Sequence, residues 1–459
     1  MKKEYRKTKI FGIIVSVIMV FLLAINIIPP AKAIDDNPFI VGNGKLPMIA
    51  AHRGGGENNP ENTMLAFREA VKTIGVDILE SDLYLTKDGY LVYNHDEYID
   101  RTSNVNGDKT KAEVEALIEN KENRHYISDM TLAELKQYNF GYYFEDEKGQ
   151  RPYKDLSLVE IEELGLQIAT VEMLFEEFYT THPDLLFIVE IKDGEDRGKL
   201  ACKKLNDVLN NFPKYKDRIV VGTFHDEIEK ELKTNYPDLM RGASTGVAAG
   251  FIITQMTRTN LFNSADFVCL QIPTSYEVGI TLSLDSKSLI DRAHRRNIAV
   301  QYWTINSERE MRHLIDLGCD CIMTDNPALM RKVLSEYTYP DNTGKIIGGI
   351  ITGILATACL VLSIMQFKQK GFLLNNAYIY ASKTEREKMY KKPFYIQTGI
   401  VFLLLFIVFL ATGLATVFNA EGFYIMAVFA VAICIIYAIA STVTIMKKRN
   451  RELEESKEE

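Results

Sequence analysis

Four stretches of this 459-residue chain carry no charged residue at all: Ile10–Ile28, Ile346–Met365, Ile396–Phe418 and Phe423–Met446. Each reaches the roughly 17–25 residues that a helix needs to cross a bilayer, too long for an ordinary buried core helix. That excludes a soluble protein. Positive charge is in short supply, with 53 Lys and Arg against 61 Asp and Glu, a net of −8. This argues against nucleic acid as a partner. A disulfide framework is also missing. Of the six cysteines, Cys359 and Cys434 lie in the uncharged runs, Cys202 in a helical pattern, and Cys269, Cys319 and Cys321 in or beside apolar strand patterns. Cys319-x-Cys321 reads as small buried core residues rather than half of a metal site. At 47% hydrophobic, the chain is too apolar for disorder.

The cations that flank the uncharged runs set a topology. Lys2, Lys3, Arg6, Lys7 and Lys9 precede the first run and keep the N-terminus inside. The segment 366–395 holds seven cations and follows the second run, and Lys447, Lys448, Arg449 and Arg451 follow the fourth. These three inside segments take 17 of the cations and 8 of the acids, which leaves about −16 on the predicted outside region 29–345. The expected organisation is an N-terminal anchor or signal segment over 1–33, an external domain over 34–340, three spans over 346–446 and a charged cytoplasmic tail over 447–459. Ala31-Lys32-Ala33 resembles a signal-peptidase site, so the first run is either cleaved or retained. The external domain lies outside the cell in both cases.

That domain alternates short apolar runs with amphipathic segments. Eight runs read as strands: Met48–Gly54, Ile78–Thr86, Leu185–Lys192, Ile219–Phe224, Arg241–Thr245, Phe267–Pro273, Ala299–Thr304 and Cys321–Asp325. Helical patterns follow most of them, with a capping box at Ser307-x-x-Glu310 and a cap plus first-turn proline at Asn326-Pro327. Eight such units predict an α/β fold, a (β/α)8 barrel; an open doubly wound sheet is the alternative. Leu91 to Gln167 is extra. It begins with a short strand and then turns polar and loop-like, as an insertion between the second strand and its helix.

Chemistry gathers at the strand ends. The first strand runs into His52-Arg53-Gly54-Gly55-Gly56, where glycines let backbone amides approach an anion and Arg53 offers a fork for phosphate. The second carries Glu80-x-Asp82, two carboxylates on one side of the strand, which repel unless a cation or proton lies between them. The third ends in Glu190-Ile191-Lys192. Three carboxylates without a nearby cysteine suit a hard divalent cation, Ca²⁺ or Mg²⁺. His95 follows the insertion's strand, and with His52 it forms a pair able to divide proton abstraction and donation. His125, His182, His225, His294 and His313 read as surface residues. Trp303, the single tryptophan, reads equally as core or as a pocket wall.

In order and spacing, His52-Arg53-Gly54, Pro60-Glu61-Asn62-Thr63, Glu80-x-Asp82, Thr86-x-Asp88-Gly89, His95-Asp96 and Arg101-Thr102 resemble the glycerophosphodiester phosphodiesterase family. So do Thr131-Leu132-x-Glu134-Leu135, Glu190-x-Lys192, Trp303-Thr304-x-Asn306 and Thr324-Asp325-x-Pro327, and the resemblance spans about Pro47 to Leu334. It implies a TIM barrel with His52 and His95 as the acid/base pair. It also implies one divalent cation, often Ca²⁺ or Mg²⁺, on Glu80, Asp82 and Glu190, with Arg53 and Lys192 neutralising the phosphate. Trp303 is added as a substrate contact. Ala169-Thr170 stands where Pro-Thr is common, and Thr223-Phe224 where Ser-Phe is common. The three C-terminal spans lie outside the resemblance.

The expected activity is extracellular, metal-assisted hydrolysis of glycerophosphodiesters to an alcohol and glycerol phosphate. A lysophospholipase D and an inactive barrel serving as a binding module are the alternatives. Barrel geometry also predicts that both tethers leave the face opposite the catalytic mouth. The mouth would then meet soluble diesters or polyglycerol-phosphate polymers before lipids of its own bilayer. Nothing in the sequence fixes an oligomeric state.

Overall fold

Short β-branched and apolar runs form parallel strands because both of their faces are covered, one by the barrel interior and one by helices. The computed structural model describes residues 30–458, except 43, 257–264, 278, 280, 340–341 and 419–420. The predicted span Ile10–Ile28 lies outside the described residues. Two compact units divide the chain, Met1–Thr338 and Tyr339–Glu459.

In the first unit the strands are β1 (Met48–Ala51), β2 (Ile78–Leu85), β3 (Leu91–Tyr93), β4 (Leu186–Ile191), β5 (Ile219–Gly222), β6 (Met240–Arg241), β7 (Cys269–Ile272), β8 (Ser275–Glu277), β9 (Thr281–Ser283), β10 (Ala299–Tyr302) and β11 (Cys321–Thr324). Eight run in the order β6-β5-β4-β2-β1-β11-β10-β7. The neighbours along this path are parallel. A parallel bridge between Gly242 and Cys269 closes the ring, supported by Val268 N–H on the Arg241 carbonyl at 2.8 Å and Ala243 N–H on the Cys269 carbonyl at 3.0 Å. The sheet is therefore a (β/α)8 barrel and not an open one.

Alternate residues of each strand point inward. Ala50, Ile78, Ile188, Val220, Cys269 and Cys321 fill the interior, and Phe39 plugs it from the N-terminal segment, itself fully buried. Asn37 anchors that plug through its Nδ2, which donates to the carbonyls of Val268 and Asn297 at 2.8 Å each. Cys319 lies instead in the outer layer between sheet and helices, so the two cysteines serve separate cores.

The insertion is more ordered than its polar composition suggests. β3 pairs antiparallel with β2, and helices form at Lys111–Ile118, Leu132–Leu135 and Leu158–Leu164, each with a capping box at its start. Each box satisfies orphan amide donors at a helix start, so these short polar helices hold without a broad apolar face. The strand pattern around Arg241–Thr245 ends early, because Thr245 opens the apolar helix Thr245–Met256. The cap at Asn326 forms, with Oδ1 accepting from the Leu329 amide at 2.9 Å.

Among its described residues the second unit contains three helices long and apolar enough to cross a membrane: Thr343–Phe367, Lys392–Phe418 and Phe423–Lys447. Close packing needs small residues here. A Cβ on Gly413 would stand 2.6 Å from Thr352 Oγ1. Polar side chains bond across the helices, Ser363 Oγ to the Gly399 carbonyl at 2.8 Å and Gln397 Nε2 to Thr442 Oγ1 at 2.8 Å.

Candidate active site

β1 delivers His52 to the barrel mouth and then turns sharply. Gly55 has φ +94°, and a Cβ there would meet Pro327 Cγ at 2.8 Å. Arg53 itself takes φ +53°, unusual for a residue with a side chain. That turn aims its backbone amide at Glu80 Oε2, 2.9 Å away.

Glu80 and Asp82 point inward from β2 and are almost fully buried. Glu190 is the register partner of Asp82 on β4. Lys192 Nζ lies between the two acids, 3.1 Å from Asp82 Oδ1 and 3.0 Å from Glu190 Oε2. Arg53 Nε stands 3.5 Å from Asp82 Oδ2. Burial, then the like charge of Asp82, pushes Glu80 up to about 7, although His52 and Arg53 oppose it. Burial and the Asp82 charge raise Glu190 as well, against Lys192. Burial disfavours the Lys192 cation, yet the attraction of Asp82 and Glu190 prevails and raises it.

Each imidazole is held by a carboxylate. His52 Nδ1 is 2.5 Å from Asp325 Oδ1, and Asn306 Nδ2 donates to the other Asp325 oxygen at 2.7 Å. Such a partner fixes the tautomer and leaves Nε2 as the working nitrogen. His52 Nε2 faces Glu80 Oε2 at 4.0 Å. Burial disfavours the charged ring, but Glu80 and the Asp325 hydrogen bond outweigh it, so His52 is raised. His95 Nδ1 is 3.0 Å from Asp96 Oδ1, and Arg101 Nε donates to Asp96 Oδ2 at 2.6 Å.

His52, Arg53, Glu80, Asp82, Glu190 and Lys192 thus form one contiguous cluster. His95 joins it through Asp96, Arg101 and Glu61, the last of which lies 3.4 Å from Arg53 Nη1. Trp303 packs on the barrel interior, with its ring edge-on to Phe224 at 6.5 Å between centroids. A cleft of about 340 Å³ opens beside Lys192, lined by Tyr84, Glu97, Tyr126 and Arg197 among others.

Asp325, Asp96, Asn306, Glu61 and Arg101 are the partners that sequence reasoning left without roles. They stand in the segments that carry the family resemblance, which was the signal available. His294 corrects the surface reading: its side chain is 18% exposed, and its Nε2 lies 2.7 Å from Asp320 Oδ2. His225 keeps an exposed side chain, as the surface reading expects, and lines the cleft with Nε2 3.1 Å from the Lys192 carbonyl.

Among the described residues no group of three His, Cys, Asp or Glu side chains stands arranged to hold a metal ion. The donor chemistry at the mouth nevertheless fits one. Three inward carboxylates supply only oxygen, two of them with raised pKa, and buried Asn62 Oδ1 has no hydrogen-bond partner.

Residues 52–329 match the model of the glycerophosphoryl diester phosphodiesterase family. The chain belongs to that family. It is an enzyme, a glycerophosphodiester phosphodiesterase. It is 26% identical over 280 residues to a glycerophosphodiester phosphodiesterase of Caldanaerobacter subterraneus subsp. tengcongensis, covering 61% of this chain and 94% of that one. A glycerophosphodiester phosphodiesterase of Bacillus altitudinis is 26% identical over 291 residues, with 63% and 98% covered. A lysophospholipase D of Homo sapiens is 26% identical over 305 residues, with 63% and 86% covered. Residues 353–446 match a family described as a domain of unknown function, DUF3784. That match and the three apolar helices associate the chain with a membrane.

Proposed function

We propose that the barrel hydrolyses glycerophosphodiesters outside the cell, with His52 and His95 as the acid/base pair. The observation that carries this reading is the pair of imidazoles, each held at Nδ1 by a carboxylate, beside a cluster of carboxylates and cations. One imidazole takes the proton from the attacking hydroxyl as its oxygen bonds to phosphorus. The bond from phosphorus to the head-group oxygen breaks, and the other imidazole gives that oxygen a proton. Family resemblance makes the attacker the neighbouring glycerol hydroxyl, so that water then opens a cyclic phosphate to glycerol phosphate. Arg53 and Lys192 balance the phosphoryl charge, and Trp303 walls the substrate.

Glu80, Asp82 and Glu190 would hold one divalent cation, Ca²⁺ or Mg²⁺. When bound, it would draw charge from the phosphoryl oxygens. The external placement of 34–340, the three spans over 346–446 and the cytoplasmic tail over 447–459 rest on the distribution of flanking cations. Turnover of glycerophosphocholine against a lysophospholipid by the full-length protein in detergent tests this reading. Faster cleavage of the lysolipid would favour a lysophospholipase D. Failure on both would sink the phosphodiesterase assignment.

A further inference from the structure

The two imidazoles sit on different loops. His52 belongs to the loop after β1, which also carries Arg53 and Glu61. His95 belongs to the loop after β3, which also carries Asp96 and Arg101. One side chain joins these loops. Arg101 Nη1 and Nη2 donate to the two oxygens of Glu61 at 2.9 and 2.6 Å, and its Nε donates to Asp96 Oδ2 at 2.6 Å. Each acceptor has a second bond to a residue of the proposed machinery. Asp96 Oδ1 is on His95 Nδ1 at 3.0 Å, and Glu61 Oε1 receives Arg53 Nη1 at 3.4 Å. The resulting chain runs His95–Asp96–Arg101–Glu61–Arg53.

The corresponding partner on the His52 side is different. Asp325 is completed by Asn306, a neutral amide on the loop after β10. Among the described residues, Asp96 has an arginine side chain as its second partner, and Asp325 has a neutral amide. An exposed ion pair contributes little. Here the Glu61 and Asp96 side chains are each only 18% exposed, and three charge-assisted bonds meet one planar fork. Burial favours the neutral form of both acids, yet their hydrogen bonds, to Arg101 for Glu61 and to His95 and Arg101 for Asp96, hold both pKa values below the usual carboxylate range.

We propose that Arg101 is a positioning residue for the phosphodiesterase reaction: it clasps the Arg53 loop to the His95 loop and so sets where His95 Nε2 stands relative to a phosphate held at Arg53. This rests on the phosphodiesterase reading. A lysine can replace the clasp only in part, because one ammonium keeps the charge and lacks the planar fork that engages two carboxylates together. Misplacement of an acid/base group by about 1 Å costs on the order of 10²-fold in rate.

The test is glycerophosphocholine hydrolysis by the full-length protein in detergent. Arg101→Ala is expected to lower kcat by about 10²-fold and leave KM within about twofold, as for an interaction realised in the transition state. Arg101→Lys is expected to fall between Arg101→Ala and wild type. The Arg101 side chain is 38% exposed, so the vacated site opens to solvent. Guanidinium ion at about 50 mM is therefore expected to raise the Arg101→Ala rate several-fold, by restoring the charge-assisted bonds. It should not raise the rate of wild type or of Arg312→Ala, which loses only surface pairs with Glu308 and Glu336. The inference is overturned if Arg101→Ala keeps kcat within about twofold of wild type, if the change is confined to KM, or if neither guanidinium nor lysine recovers the loss. Those results with an active wild type leave the phosphodiesterase reading standing. A wild type inactive on glycerophosphodiesters removes both.

Discussion

Asp325 holds His52 by Nδ1 at 2.5 Å across 273 positions of sequence. The contact exists because β1 and β11 are parallel neighbours in register, with Ala51 opposite Thr324, so the residues that follow each strand emerge side by side. Asp325→Asn keeps the shape and removes the charge that fixes the His52 tautomer. Its kcat should fall by roughly 10²-fold or more with little change in KM, as for other His–carboxylate dyads. Wild-type kinetics in Asp325→Asn would remove this dyad from the reaction.

His52→Ala and His95→Ala should each cost roughly 10²–10⁴-fold in turnover, the usual worth of a general acid or base. His313→Ala is the silent control, since its side chain is half exposed and paired with Asp285 at 3.0 Å. His294→Ala is expected to spare turnover and lower stability, because buried Asp320 would lose one of its partners. Steady-state rates and urea midpoints on the same preparations separate the two effects. A His52 or His95 variant retaining half the wild-type rate loses its assigned role.

Exhaustive chelation should abolish turnover, and added Ca²⁺ or Mg²⁺ should restore it. Glu80→Gln should weaken cation binding by removing a carboxylate oxygen from a set whose charges repel without a partner. Lys192→Met should act in opposite directions on two measurements. It removes a cation from between Asp82 and Glu190, so divalent affinity should rise. Turnover should fall, because the phosphoryl charge loses a partner. Calorimetric titration of the full-length protein reports affinity. Full activity after chelation sinks the metal assignment.

The pH dependence of stability has a definite sign at Glu80, whose native pKa is about 7 against 4.5 for the free side chain. In chelated protein the native state keeps a proton that the unfolded chain releases across that window. The unfolded state then binds fewer protons, so stability falls as pH rises from about 4.5 to about 7. Trp303 is the only tryptophan, so its fluorescence reports the barrel even in the full-length chain. Urea midpoints at about pH 5 and about pH 7.5 should differ more in wild type than in Glu80→Gln. Equal slopes in the two proteins would contradict the burial effect at Glu80.

Local patterns in the sequence determined a good part of this molecule. Three of the four uncharged runs coincide with long apolar helices, because crossing a membrane depends on length and composition alone. The eight strand runs were legible because their apolar stretches alternate with helical periods, and local repetition needs no knowledge of distant contacts. His52, Arg53, Glu80, Asp82, Glu190 and Lys192 were visible as polar residues that end apolar strands. What joins them was not. The Asp325–His52 contact, the placement of Lys192 Nζ between Asp82 and Glu190, and the Arg101 clasp depend on which strands become neighbours and on how two loops fold over the mouth. The half-buried His294–Asp320 pair and the capped helices of the insertion were missed for related reasons. A polar residue's partner is chosen by closure of the barrel and by the need to satisfy buried donors and acceptors, and neither leaves a periodic trace along the chain.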